Sequence, residues 1–75
     1  MKNELDLYYN KVLEKRVKER VIAGFTQNEI GQLLDISESG YFKEEKGKTK
    51  LDLYRLLHIL QKLEISPDEF FKDIK

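Results

Sequence analysis

The chain has 75 residues, of which 40% are apolar and 37% are charged, a composition typical of a small folded domain rather than a disordered or membrane-spanning chain. Fourteen basic residues balance fourteen acidic ones, so any strongly charged surface has to be local. With no cysteine and one histidine, the sequence has few groups for metal binding or catalysis apart from its carboxylates, and a domain of this size seldom has room for a substrate pocket. We therefore expect no enzyme, cofactor or small-molecule ligand.

The first predicted helix covers about residues 4–23. Asn3 is a favourable N-cap, and Glu4 and Asp6 in the first turn complement the helix dipole. Apolar residues follow at helical spacing and form one stripe, which consists of Leu5, Tyr9, Val12, Leu13, Val17 and Val21. Gly24 then predicts a left-handed residue that ends the helix.

Two short helices are predicted over about residues 26–46. Thr26 and Glu29 have the spacing of a capping box at the start of the second helix. Its apolar face is predicted to consist of Ile30, Leu33 and Leu34. Gly31 is unfavourable inside a helix unless another helix packs closely against it. Ser37 caps the third helix after a turn of three residues, and this arrangement is a helix-turn-helix unit.

The remaining sequence predicts a fourth and a fifth helix over about residues 52–74. Asp52 caps the fourth helix, and its predicted core face consists of Leu53, Leu56, Leu57, Leu60 and Leu63. Ser66 and Pro67 begin the fifth helix. No linker and no apolar run of membrane-spanning length is present. We therefore expect one compact, all-α bundle of five helices over residues 1–75, in a cytoplasmic protein.

Residues 24–37 read Gly-Phe-Thr-Gln-Asn-Glu-Ile-Gly-Gln-Leu-Leu-Asp-Ile-Ser, which resembles the signature of the Cro/phage-repressor helix-turn-helix family, also called the XRE family. The resemblance continues through Glu-Lys-Gly-Lys at 45–48 and Leu-Glu-Ile-Ser-Pro at 63–67. It implies a lambda-repressor-like fold and a bacterial or phage transcriptional regulator. Such a protein binds a palindromic operator in double-stranded DNA as a homodimer, here expected to be a repressor.

The resemblance also implies which residues contact DNA. By position these are Thr26, Gln27, Asn28, Glu38, Ser39, Phe42, Lys43, Lys46, Lys48 and Lys50. The four residues between 38 and 43 would meet base edges in the major groove. Those at 26–28 and the three later lysines would contact phosphates, although a solvated loop would carry lysines as well. Arg20 and Glu45 match a structural ion pair of the family.

Some positions depart from the family pattern and keep a second interpretation open. Glu44 stands where an apolar residue is usual, and Phe42 stands where a polar one is usual. Either the third helix is rotated or Phe42 contacts a thymine methyl group. The zero net charge, Glu38 and Glu44 also fit a protein-interaction module, or an antitoxin-like partner, that keeps the fold with weak or no DNA binding.

Aromatic residues near the two ends of the chain raise the question of a dimer surface. Adjacent aromatic side chains cannot all face one small core, and clustered exposed ones often mark an interface. The predicted dimer patch consists of Tyr8, Tyr9, Phe70, Phe71 and Ile74. Alternatively, these side chains cover the core of their own chain.

Overall fold

The structure is a computed structural model that describes residues 3–74. Five α-helices account for most of these residues. They are α1 (Glu4–Ile22), α2 (Gln27–Leu33), α3 (Glu38–Glu45), α4 (Leu53–Lys62) and α5 (Pro67–Lys72). Residues 1, 2 and 75 of the expected domain lie outside the described residues. The prediction of an all-α, five-helix architecture is confirmed, since residues 3–74 contain no strand. None of the helices described is both long and apolar enough to cross a bilayer.

Side-chain caps fix where each helix begins. At all five starts, the N-cap side chain accepts a hydrogen bond from the backbone N–H three residues later, and the caps are Asn3, Thr26, Ser37, Asp52 and Ser66. At α2 the capping box is complete, because the Thr26 amide also donates to Glu29 Oε1 at 2.9 Å. The five predicted caps are therefore confirmed.

Left-handed residues end four of the helices. Gly24 and Gly47 have φ of 85° and 77°, and the two residues Asp35 and Glu64 have φ of 62° and 59°. After each of them, the next amide returns to a carbonyl of the last helical turn, which is the Schellman arrangement. Asp35 thus takes a conformation that glycine usually supplies at the end of a helix. Glu64 carries no turn signal in the sequence, and its conformation was not predicted.

The core consists of two clusters that meet on α4. One holds Ile30, Leu34, Tyr41, Ile59 and Leu63, and the other holds Val12, Leu56, Leu60 and Phe70. The predicted burial of Leu53 and Leu57 is wrong, since both are exposed. Leu57 lies about 100° around the helix from Leu56, on the side away from Ile59, because each residue turns an α-helix by that angle.

The contact between α2 and α3 depends on Gly31. A Cβ atom at this position would lie 3.1 Å from the carbonyl oxygen of Ile36 and 3.7 Å from Cβ of Tyr41. The close packing expected around Gly31 is confirmed. Because α3 packs on the Gly31 side of α2, Leu33 is left exposed, and its predicted burial is wrong.

Most residues of the predicted dimer patch make contacts inside their own chain. Phe70 is fully buried between α1 and α4, so its assignment to a dimer surface is wrong. Phe71 and Ile74 are half-buried and pack against the same cluster. Tyr9 is half-buried, and its hydroxyl accepts a hydrogen bond from the Leu51 amide at 2.7 Å. Of the five residues, Tyr8 alone is exposed.

Candidate nucleic-acid interface

Helix α3 separates its side chains into an outer and an inner set. The outer set is exposed to solvent and consists of Glu38, Ser39, Phe42 and Lys43, the four residues expected to meet base edges. In the inner set, Tyr41 is fully buried, and the side chains of Glu44 and Glu45 are 16% and 4% exposed. Two acidic groups therefore face the interior of the molecule, where carboxylates are rare unless they are paired.

Glu45 joins three helices. Arg20 Nε donates to its Oε2 at 2.6 Å and Arg20 Nη2 to its Oε1 at 3.3 Å, so the ion pair implied by the family resemblance is present. Arg20 Nη1 donates to the carbonyl of Phe25 at 2.6 Å, and Gln27 Nε2 donates to Glu45 Oε1 at 3.0 Å. Burial acts to raise the pKa of Glu45, but the hydrogen bonds donated to its carboxylate, first of all those from Arg20, outweigh burial and hold the pKa below its ordinary value.

Glu44 is also held by arginines. Its Oε1 lies 3.9 Å from Arg16 Nη1, and its Oε2 lies 3.4 Å from Arg55 Nε. These two ion pairs account for a glutamate at a position where the family usually has an apolar residue. Tyr41 fills the interior beside them, so α3 need not rotate to place Phe42 outside.

Arg16 and Arg55 were not predicted as partners of α3. A weak signal for Arg16 was present, because it precedes Arg20 by four residues and therefore lies on the same face of α1. The consecutive glutamates at 44 and 45 on α3 supply two opposite charges for these two arginines. Arg55 had no comparable signal, because nothing in the sequence places the first turn of α4 beside α3.

The inward glutamates leave one acid and one base, Glu38 and Lys43, on the outer side of α3, and three exposed lysines follow the helix. Lys43, Lys46, Lys48 and Lys50 are exposed on this helix and the loop after it, and Glu38 is the acidic residue among the predicted contacts. Lys46 Nζ lies 5.3 Å from the centre of the Phe42 ring, within the range of a cation–π contact. Four lysines near one another favour an anionic partner.

The beginning of α2 lies beside this surface through the contact of Gln27 with Glu45. Thr26 and Asn28 are exposed, whereas Gln27 is half-buried. The Thr26 amide donates to the carboxylate of Glu29 in the capping box, so this donor is not available to a phosphate.

The described part of the chain contains no cluster of metal-ligating side chains. No group of three or more His, Asp or Glu side chains among residues 3–74 could hold a metal ion. His58 instead packs edge-on against Tyr54, with the ring centres 6.2 Å apart.

Two short helices joined by a tight turn, with the second exposing its leading residues, define the helix-turn-helix class of protein. A family model described as helix-turn-helix matches residues 18–70. The chain belongs to this helix-turn-helix family, which is of the XRE type and comprises DNA-binding regulatory domains rather than enzymes. No curated protein and no solved structure matches the chain.

Proposed function

We propose that the chain is a sequence-specific regulator of transcription that binds double-stranded DNA, acting as a homodimeric repressor on a palindromic operator in a bacterial or phage cytoplasm. The observation that carries the proposal is the sorting of charge on α3. Its glutamates at 44 and 45 are turned inward against arginines, while Lys43 on its outer side and three lysines just after the helix are exposed. A duplex presents dense negative charge to such a surface.

In this proposal α3 enters the major groove. Lys43 suits the acceptor atoms of guanine, and the exposed ring of Phe42 suits the methyl group of thymine. Ser39 hydrogen-bonds to either kind of base, and Glu38 accepts from the amino group of cytosine. Glu38 also limits affinity, because its carboxylate is repelled by nearby phosphates. This pattern favours sequence discrimination over strong nonspecific binding.

Phosphates are contacted on both sides of α3. Lys46, Lys48 and Lys50 follow the helix, and Asn28 and the remaining polar atoms of Gln27 precede it. Since Gln27 is bound to Glu45, a phosphate held by Gln27 is also fixed relative to α3. Phosphate contacts of this kind set the register of the protein on the duplex rather than its sequence preference.

Binding to a short duplex of random sequence at low salt tests the proposal. We expect the logarithm of the binding constant to fall linearly with the logarithm of the salt concentration, with a slope of about −0.9 for each phosphate neutralised. Lys48→Ala should reduce that slope by about 1. Lys72→Ala, an exposed lysine on α5, is the matched control and should leave the slope unchanged. Wild-type protein that fails to bind the duplex at low salt would contradict the proposal.

A protein-interaction module or an antitoxin-like partner is the second candidate. The net charge of zero favours it, as do Leu53 and Tyr54 on α4, which are 68% and 80% exposed. Such a module would have the same fold but would show no salt-dependent binding to the duplex. The experiment above therefore separates the two functions.

A further inference from the structure

The lysine loop, which we define as residues 46–51, leads from α3 towards α4 and carries three of the proposed phosphate contacts. Its first half is tied to α3, because the amide of Lys48 donates to the carbonyl of Lys43 at 3.1 Å. Its last amide, that of Leu51, is bound to a different helix and donates to the hydroxyl of Tyr9 on α1 at 2.7 Å. The loop is therefore held at one end by α3 and at the other by α1.

A second contact shows how the lysine loop lies along α1. Gly47, near the start of the loop, is beside Leu13, since a Cβ atom built on this glycine would be 3.5 Å from Leu13 Cδ1. Leu13 follows Tyr9 by four residues and so lies on the same side of α1. The loop thus passes α1 in the opposite direction to the helix, from Leu13 to Tyr9. The side chain of Leu51 packs against both core clusters and anchors the same end.

Lys50 is the lysine whose position depends on the contact with Tyr9. It is exposed and immediately precedes Leu51, whereas the backbone of Lys48 has its own hydrogen bond to α3. A loop that is ordered before binding loses less conformational freedom when its side chains engage a partner, and this raises the affinity. The hydroxyl of Tyr9 supplies that order on the Lys50 side of the loop.

We propose that Tyr9 is a positioning residue for phosphate binding, which holds the backbone beside Lys50 where the phosphates of a duplex approach. The inference rests on the proposed function. It adds a residue that precedes the segment 18–70 matched by the family model. In this inference Tyr9 does not touch the duplex, and it acts through the Leu51 amide.

Amide hydrogen exchange followed by NMR tests the contact without DNA. Tyr9→Phe removes the acceptor and keeps the ring, so the Leu51 amide should exchange about tenfold faster than in the wild type. Tyr8→Phe is the matched control, because Tyr8 is the adjacent, exposed tyrosine, and it should leave this rate unchanged. The Lys48 amide should keep its wild-type rate in both variants, since its acceptor is on α3. An unchanged rate at Leu51 in Tyr9→Phe would overturn the inference.

Binding to the short duplex of random sequence at low salt tests the consequence for function. Tyr9→Phe should bind about threefold more weakly than the wild type, which is within the range that one hydrogen bond contributes. In a protein that already carries Lys50→Ala, Tyr9→Phe should have no further effect, because the lysine that it positions is gone. In a protein that carries Lys48→Ala, it should still weaken binding about threefold. Circular dichroism of each variant shows that the helices are retained.

Two binding results would also overturn the inference. One is wild-type affinity in Tyr9→Phe. The other is an undiminished threefold loss in the presence of Lys50→Ala, which would mean that Tyr9 contacts the duplex itself or acts only through the stability of the domain. Failure of the proposed function has a different signature, because the wild type then does not bind the duplex, while the exchange rates still report whether Tyr9 holds the loop.

Discussion

Two arginines on α1, one helical turn apart, face consecutive glutamates of α3 in very different ways. Arg20 makes two hydrogen bonds to Glu45 and a third to the carbonyl of Phe25. Arg16 is fully buried, yet none of its guanidinium nitrogens has a hydrogen-bond partner among the described residues. Its nearest charged neighbour is Glu44, at 3.9 Å, and its guanidinium lies 5.7 Å from the centre of the Tyr41 ring.

The difference shows that burial of an arginine does not by itself hold two helices together. A buried charge stabilises a fold only when hydrogen bonds replace the water it has lost. Arg20 meets that condition and fixes α3 relative to α1 and α2. Arg16 has charge compensation and a ring contact but no hydrogen bonds, so its net contribution to stability should be small.

The largest effect is expected from Arg20→Met. This change removes both hydrogen bonds that Arg20 donates to the buried carboxylate of Glu45, and removing one partner of a buried ion pair typically costs about 3–5 kcal/mol. We expect a loss of this size in the free energy of unfolding, measured by urea denaturation. In a domain whose total stability is of the order of 5 kcal/mol, about 0–2 kcal/mol would remain, so between about 3% and about half of the protein would be unfolded.

The double variant Arg20→Met/Glu45→Met is the control for this prediction. It removes both charges, so no uncompensated carboxylate remains in the interior. We expect it to be more stable than Arg20→Met alone, because a buried ion pair can be replaced by apolar residues at little cost. A double variant as unstable as the single one would show that Arg20 acts through its contact with Phe25 instead.

Acid should weaken the Arg20 cluster in a defined range. The pKa of Glu45 is held below its ordinary value of 4.5. The stabilisation from its ionised form is therefore complete above pH 4.5 and is lost as the pH falls through the pKa of the folded protein. Glu45→Gln cannot titrate and should be less stable than the wild type near neutral pH, by about 1.5–3 kcal/mol.

Below pH 4.5 the difference in stability between the wild type and Glu45→Gln should shrink. Urea denaturation at a series of pH values measures this difference directly. A gap that stays constant from neutral pH to well below pH 4.5 would mean that Glu45 does not carry the acid sensitivity assigned to it.

The contrast between the two arginines also shows what could be predicted from the sequence. Helix starts were predictable, because capping depends on residues a few positions apart, as at Thr26 and Glu29. The Arg20–Glu45 pair was accessible through resemblance to a family. Glu44 looked like a departure from that family because its partners lie on α1 and α4, far away in sequence. Hydrophobic patterning likewise treats Arg16 as a surface residue, although the structure buries it.

The aromatic residues show the same limit of local patterns. Phe70 and Phe71 are adjacent in sequence, but the first is fully buried and the second only partly. Periodicity indicated that both could not face one core, without indicating which of them would. That choice depends on how α5 docks against α1, where Lys15 Nζ donates to the carbonyl of Phe70 at 2.5 Å.

The smallest effect is expected from Arg16→Met, and it is the sharpest test of the comparison. Methionine fills a similar volume without donors that need partners. Glu44 keeps its ion pair with Arg55 through Oε2, and its buried Oε1 has no hydrogen bond to lose. We expect the free energy of unfolding to stay within about 1 kcal/mol of the wild type, or to rise, since the buried guanidinium lacks hydrogen bonds. If Arg16→Met instead costs as much as Arg20→Met, the two arginines are equivalent anchors of α3, and hydrogen bonding does not decide what a buried arginine contributes here.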